Sequence, residues 1–163
     1  MSNVNYTCQS VMTEQPVVIH RNETVRNALK LLLQHKLLAL PVVEDDGRFF
    51  GMFLRSQLVA LLLPRIVQME TRIPEIARLL EVGFLTDTIE DTQDRFRSFA
   101  SKPVGDYTQT DAPRLHPDTP IINAVLLLYR TRTYLPVVDE GTGRLLGVVS
   151  TWDVLARIAG DEA

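Results

Sequence analysis

The sequence predicts an α/β (α+β) fold: two tandem β-α-β-β-α repeats packed as a pseudo-twofold pair, with a helical insert between them. Two observations predict it. The tetrapeptide Leu-Pro-Val-Val occurs at Leu40–Val43 and again at Leu135–Val138. A common frame surrounds both copies: His20/His116, Ala28/Ala124, Gly47-Arg48/Gly143-Arg144 and Gly51/Gly147 each lie 96 residues apart, and only the tetrapeptide itself, with Pro41/Pro136, departs from that offset, by one residue. A shared frame of this kind marks an internal duplication, and a duplication implies two equivalent clefts.

The elements follow in order. Val17-Val18-Ile19 is a short β-branched run that reads as the first strand. A helix is expected from about Thr24 to His35, with Val25, Ala28, Leu29, Leu32 and Leu33 on the i, i+3, i+4, i+7, i+8 stripe of a buried face. Pro41-Val42-Val43 opens the second strand, Asp45-Asp46-Gly47 supplies turn chemistry, and Arg48 to Leu54 returns as the third. A closing helix is expected from about Ser56 to Leu63, stopped by Pro64. The second copy repeats the plan. Thr119-Pro120 reads as a capping side chain followed by proline at the first helical position; that helix carries Ile121, Ala124, Val125 and Leu128. Pro136-Val137-Val138 and Leu145–Val149 are strands, and the closing helix runs from Thr151 to about Ala159, with Gly160 as its stop. Gly51 and Gly147 lie inside strands, where glycine marks a bulge or a close backbone approach.

These boundaries give repeat 1 over residues 9–63, an insert over 64–101 and repeat 2 over 102–159. The insert reads as two helices, Pro74 to Val82 with Gly83 as stop, and Thr88 to Ser101, where Thr88 and Asp91 fit a capping box. It serves either as a partner surface or as cover for the sheet edges.

Composition bounds the function. The 163 residues are 45% hydrophobic and 23% charged, ordinary for a globular protein. A net charge of −3 argues against nucleic acid or an anionic membrane as the main partner. The single cysteine, Cys8, excludes a disulfide framework. The first residues lack the charged and apolar regions of a signal peptide, and no apolar run is long enough to span a bilayer. The expected location is cytoplasmic. His20 and His116 are symmetric but have no second ligand at metal-site spacing, so no metal site is expected. No nucleophile-plus-base motif, phosphate-binding Walker loop or Gly-x-Gly-x-x-Gly is found, and the chain reads as a non-enzyme with no catalytic residues and no required cofactor.

Five stretches, by their order, their spacing and the duplication around them, resemble the CBS domain, named after cystathionine β-synthase: Ser10-Val11-Met12-Thr13, Thr24-Val25 to Ala28-Leu29, Leu40–Val43, Gly47–Gly51, and Gly147–Val154. The resemblance implies two repeats packed around short sheets, pairs that dimerise into a disc, and clefts that bind an adenosine-containing ligand: AMP, ADP, ATP or S-adenosylmethionine. It implies a regulatory sensor that acts on a separate effector protein. The competing reading is a dimerisation or scaffold module whose clefts bind nothing.

In the family the junction into the closing helix reads Gly-x-x-Ser/Thr-x-x-Asp, with the hydroxyl near phosphate and the aspartate on the ribose. A helix start suits an anion, and a carboxylate accepts two hydroxyls at once. Repeat 2 keeps Gly147, Ser150 and Asp153, whereas repeat 1 has Leu54 and Gln57 in those places, so its cleft is expected to be weak or empty. Ser150 and Asp153 also fit a capping box, and both roles can coexist. By position, the resemblance adds Thr151, the stretch Ala112-Pro113-Arg114 and the stretch Tyr134-Leu135-Pro136 to the Ser150 site. Tyr134 stands either as an adenine stack or as ordinary packing. Arg55, the counterpart of Thr151, is expected to reach phosphate across the pseudo-twofold groove, with Arg130 and Arg132 as weaker candidates. Apolar residues off the buried stripes, Leu31, Ile122, Leu126, Tyr129, Leu61 to Leu63, Trp152, Leu155 and Ile158, predict a homodimer built on the repeat helices.

Overall fold

A computed structural model of the chain describes residues 6–65 and 86–160. The described elements are α1 (Cys8–Val11), β1 (Thr13–Glu14), β2 (Ile19–His20), α2 (Val25–His35), β3 (Ala39–Val43), β4 (Phe49–Leu54), α3 (Arg55–Leu62), α4 (Ile89–Phe99), a 3-10 turn (Val104–Tyr107), α5 (Ile121–Thr131), β5 (Leu135–Val138), β6 (Leu145–Val149) and α6 (Thr151–Ala159). They form two three-stranded sheets, β2-β3-β4 and β1-β6-β5.

Local sequence explains most boundaries. Thr24 is the N-cap of α2 and accepts the Asn27 N–H at 3.2 Å. Thr88 and Asp91 form the full capping box of α4. Gly160 closes α6 at φ 56°. Two expectations are corrected. Pro120 is itself the N-cap of α5, and the Thr119 hydroxyl accepts the His116 N–H at 3.0 Å, closing the preceding turn instead of capping the helix. The strand expected at Val17–Ile19 pairs only at Ile19–His20, opposite Val42 and Val43. The helix expected over Pro74 to Val82 lies outside the described residues.

The halves exchange their lead-in segments. β1 pairs not with its own half but with β6, Thr13 opposite Val148 and Glu14 opposite Gly147. Reciprocally, Gln109 bridges Met52 on β4. Thr7 bridges Pro120, and Thr24 bridges Pro103, by the same exchange. The strand crossings are tight because the glycines permit them: a Cβ on Gly147 would lie 2.6 Å from the Thr13 carbonyl oxygen, and one on Gly51 2.5 Å from that of Gln109. The close approach expected at both glycines is therefore real, and its partner in each case is the other half's lead-in.

Packing follows the exchange. Ile19, Val25, Ala28, Leu40, Val42 and Phe53 form the first core, joined by Phe99 of α4 and by Val104. Cys8, from the N-terminal lead-in, is buried in the second core with Leu115, Ala124, Leu135, Val137 and Val149. A third cluster, Ala39, Phe49, Met52 and Val138, joins the halves. Near the pseudo-axis Arg48 and Arg144 pair as a lone bridge. Leu33, placed on the buried stripe by its spacing, is instead 59% exposed, whereas Leu31, expected off that stripe, packs half-buried against the first core.

Candidate functional site

The exchange of lead-ins decides which residues meet. With Thr13 paired to Val148, the chain from Gln15 to Val17 is delivered to the start of α6. The resulting cleft, about 300 Å³, is lined by Gln15, Pro16 and Val17, by Leu37, Ala39 and Pro41, and on the far side by Tyr134, Val148, Ser150 and Trp152. That volume sits at the small end of the range for ligand pockets, roughly 300–1,000 Å³. No ionised side chain lines it among the described residues.

Ser150, on the cleft wall, and Asp153, behind it, form a complete capping box. The Ser150 hydroxyl accepts the Asp153 N–H at 3.2 Å and donates to Oδ2 at 2.9 Å, while the Ser150 N–H donates to the same Oδ2 at 2.7 Å. The Thr13 hydroxyl donates to Oδ1 at 3.3 Å. A carboxylate has about four acceptor positions. Three are engaged, and the open one is on Oδ1. The N–H groups of Thr151 and Trp152, in the first turn of α6, lie where a helix has no internal acceptor for them.

The second cleft is the pseudo-twofold counterpart and is differently built. Met52, Leu54, Gln109, Ala112, Pro113, Tyr134, Leu135 and Pro136 line a cavity of about 190 Å³. It adjoins a second cavity of about 170 Å³ lined by Leu38, Arg55, Ser56 and Arg132; Leu54, Thr131 and Thr133 line both.

The structure thus divides the residues that position along the sequence had grouped. Ser150 stands in the first cleft with repeat 1's Gln15–Val17; Asp153, bonded to it, lines instead a neighbouring groove with Ser10, Val11, Ala156, Arg157 and Gly160. Ala112, Pro113, Leu135 and Pro136 stand in the second with Leu54, and so they do not line the Ser150 site. Thr151, exposed at the first position of α6, lines neither cleft. Tyr134 borders both clefts, and its hydroxyl accepts the Leu38 N–H at 3.4 Å, so the ring is a half-buried wall between them. Arg114 lines neither; its guanidinium lies 4.9 Å from the Phe49 ring centroid. Arg55 lies beside the second cleft, not the Ser150 cleft, and Arg132 lies with it. Arg130 lines neither cleft. The residues of this cleft missed from sequence include Thr13, Gln15, Pro16, Val17, Leu37 and Ala39, with Pro41, Val148 and Trp152. Pro16 and Val17 are the repeat counterparts of Ala112 and Pro113, so the duplication already marked them; the strand exchange that assigns each pair to the opposite cleft was not visible. Among the described residues no group of three or more His, Cys, Asp or Glu is placed to hold a metal.

The family model of the CBS domain matches residues 8–64 and again residues 104–160. The chain belongs to the CBS domain family. As a CBS pair it is similar to an uncharacterized protein of Methanocaldococcus jannaschii, 24% identical over 147 residues that cover 89% of this chain and 87% of that protein. Among solved structures, CBSX2 of Arabidopsis thaliana superposes on this CBS pair with a TM-score of 0.75 at 23% identity, covering 98% of each chain. A crystal structure of CBSX2 in complex with AMP gives 0.69 at 24% identity, over 97% of this chain and 99% of that one. A further CBS domain pair, crystallised with 5′-methylthioadenosine and S-adenosylmethionine, gives 0.60 at 19% identity, over 95% and 100%. At these identities the structural matches show the shared fold.

Proposed function

We propose that this CBS pair is a non-catalytic regulatory module that binds an adenosine-containing ligand in the Ser150 cleft and reports it to a separate effector protein. One observation carries the reading: an apolar cleft between the halves ends on Ser150 and Trp152 at the start of α6, and Asp153, bonded to the lining residues Ser150 and Thr13, keeps an open acceptor on Oδ1. Apolar walls at Pro16, Val17 and Ala39 suit a flat base, and the carboxylate suits ribose hydroxyls. The ligands in the solved relatives, AMP in CBSX2 and S-adenosylmethionine with 5′-methylthioadenosine in the other pair, share that chemistry.

The test is a thermal-shift panel with adenosine, AMP, ADP, ATP and S-adenosylmethionine, each with and without Mg²⁺. A ligand that binds only the folded state at a hundred times its Kd adds about 2.7 kcal/mol to apparent stability. A clear rise with at least one member supports the reading. Flat melts across the panel favour the second reading, a scaffold whose Ser150–Asp153 pair serves only as a helix cap. The observation behind that alternative is the completeness of the box itself.

A homodimer completes the proposal. Ile122, Leu126 and Tyr129 of α5, with Trp152, Leu155 and Ile158 of α6, are 50% to 80% exposed, and the two helices pack side by side. Their shared apolar face fits a second copy of this chain related by a twofold axis.

A further inference from the structure

The apolar face of α5 and α6 has no match in repeat 1, and one of its residues also walls the Ser150 cleft. We propose that a second copy of this chain packs repeat 2 on repeat 2, buries Trp152 and so holds one wall of that cleft, while repeat 1 stays outside the contact. The inference rests on the homodimer of the proposed function and assigns its interface.

The 96-residue frame gives each residue of the face a counterpart. Ile122 and Leu126 of α5 correspond to Arg26 and Lys30 of α2; Trp152 and Ile158 of α6 correspond to Ser56 and Leu62 of α3. The four residues of repeat 2 are 50% to 80% exposed. In repeat 1 the same positions are either charged or covered. Arg26 and Lys30 are exposed cations with no ion pair among the described residues. Leu62, with Phe96 of α4, is already half-buried against the first core, and the Arg95 guanidinium donates to its carbonyl at 2.7 Å. A contact closed over both repeats would set Arg26 and Lys30 against Ile122 and Leu126 of the other copy, or against their own copies. Unpaired cations are costly to bury, and like charges set opposite each other repel. Repeat 2 on repeat 2 avoids both: an apolar face meets itself, the self-complementarity that a twofold contact requires.

Trp152 joins this face to the cleft. It lines the Ser150 cleft and is nevertheless 80% exposed. Its own chain leaves that wall of the cleft largely open to solvent. Tryptophan is among the residues that most often anchor an interface. A partner seated on α6 covers the indole and fixes it, so ligand and partner each favour the state the other needs. Ser56 in the corresponding place gives the second cleft no such wall. One cleft per chain is therefore linked to assembly.

Trp152 is the single tryptophan of the chain, so its fluorescence tests the inference directly. Acrylamide quenching is compared between the wild type and Leu126→Glu, with the mass of each taken from light scattering at the same concentration. The expected result is a wild-type dimer with a shielded Trp152, and a Leu126→Glu monomer in which quenching rises severalfold. Tyr129→Glu, at a 77%-exposed position of the same helix, takes the place of Leu126→Glu if that variant does not fold. Were α5 seated on repeat 1 of the other copy, the introduced carboxylate would meet Arg26 and Lys30 and the dimer would persist; that outcome overturns the inference. So does a wild-type dimer whose tryptophan is quenched as readily as the monomer's. Calorimetry with AMP on both proteins should find tighter binding by the dimer, and equal affinity overturns the shared wall. A wild-type monomer removes the homodimer itself. AMP that binds neither protein, with Trp152 shielded in the dimer, removes the adenosine reading alone.

Discussion

The hydroxyl of Thr13 donates to Oδ1 of Asp153 at 3.3 Å, across 140 residues of chain. The bond ties the N-terminal lead-in to the start of α6 and sets a side chain from repeat 1 at the candidate ligand carboxylate of repeat 2. It also makes Asp153 a member of two systems, the helix cap and, through its bonds to Thr13 and Ser150, the support of the cleft wall.

That double membership gives a separable prediction. Asp153→Ala should weaken ligand binding by roughly 1.5–3 kcal/mol, the scale of hydrogen bonds to a charged group. It should also lower stability by about 1 kcal/mol through loss of the capping box. Ser150→Ala should reproduce the stability loss and leave most of the binding. Calorimetry and urea unfolding on both variants check this; equal binding in wild type and Asp153→Ala removes Asp153 from the site.

Gly147→Ala and Gly51→Ala should each destabilise by about 1–3 kcal/mol, the cost of forcing volume into packed structure, because each Cβ would meet the exchanged partner's backbone carbonyl at 2.6 Å or 2.5 Å. Gly141→Ala is the control: its nearest neighbour would be the Asp139 side chain at 3.5 Å, an ordinary contact. Urea midpoints decide the matter. A tolerated Gly147→Ala would mean that β1 detaches readily from β6.

Light scattering behind size exclusion at low micromolar concentration should find twice the 18.4 kDa chain mass. Leu126→Glu, a charge on the 50%-exposed Leu126 of α5, should shift the protein to monomer, because burying an unpaired carboxylate costs several kcal/mol. A dimer that survives the substitution moves the interface to another surface. A clean monomer of the wild type removes the dimer altogether.

Cys8 gives a pH prediction. It is fully buried, and burial pushes its thiol up from 9.0 to about 11. The thiolate is disfavoured in the folded chain, so the unfolded chain releases this proton first. Stability should hold its full value below about pH 9 and fall between about pH 9 and 11, by up to roughly 1.4 kcal/mol per pH unit from this group. Urea midpoints across that range, compared with Cys8→Ala, isolate the effect: the variant should lose this part of the alkaline decline. An identical alkaline decline in the variant would assign it to other groups.

The sequence by itself determined the duplication, the helix-strand-strand-helix order within each repeat, both strand glycines, the capping boxes at Thr88 and Ser150, and the family. These are local: a cap needs only its own first turn, and a helical stripe only its own spacing. The first strand expected in repeat 2, by contrast, is only a lone Leu115–Val137 bridge. Only the tertiary structure decided which segments form each cleft. In a pseudo-symmetric pair, each lead-in has two equivalent strands to join, and nothing within four or five residues of Thr13 distinguishes β4 from β6. Joining β6 carries Gln15–Val17 to Ser150 and leaves Ala112 and Pro113 with Leu54, the reverse of the grouping read along the chain. Burial of Leu31 over Leu33 was decided in the same way, by where α2 rests on its sheet. A periodic stripe fixes a helix face, and packing against the other elements then sets which edge of that face is covered.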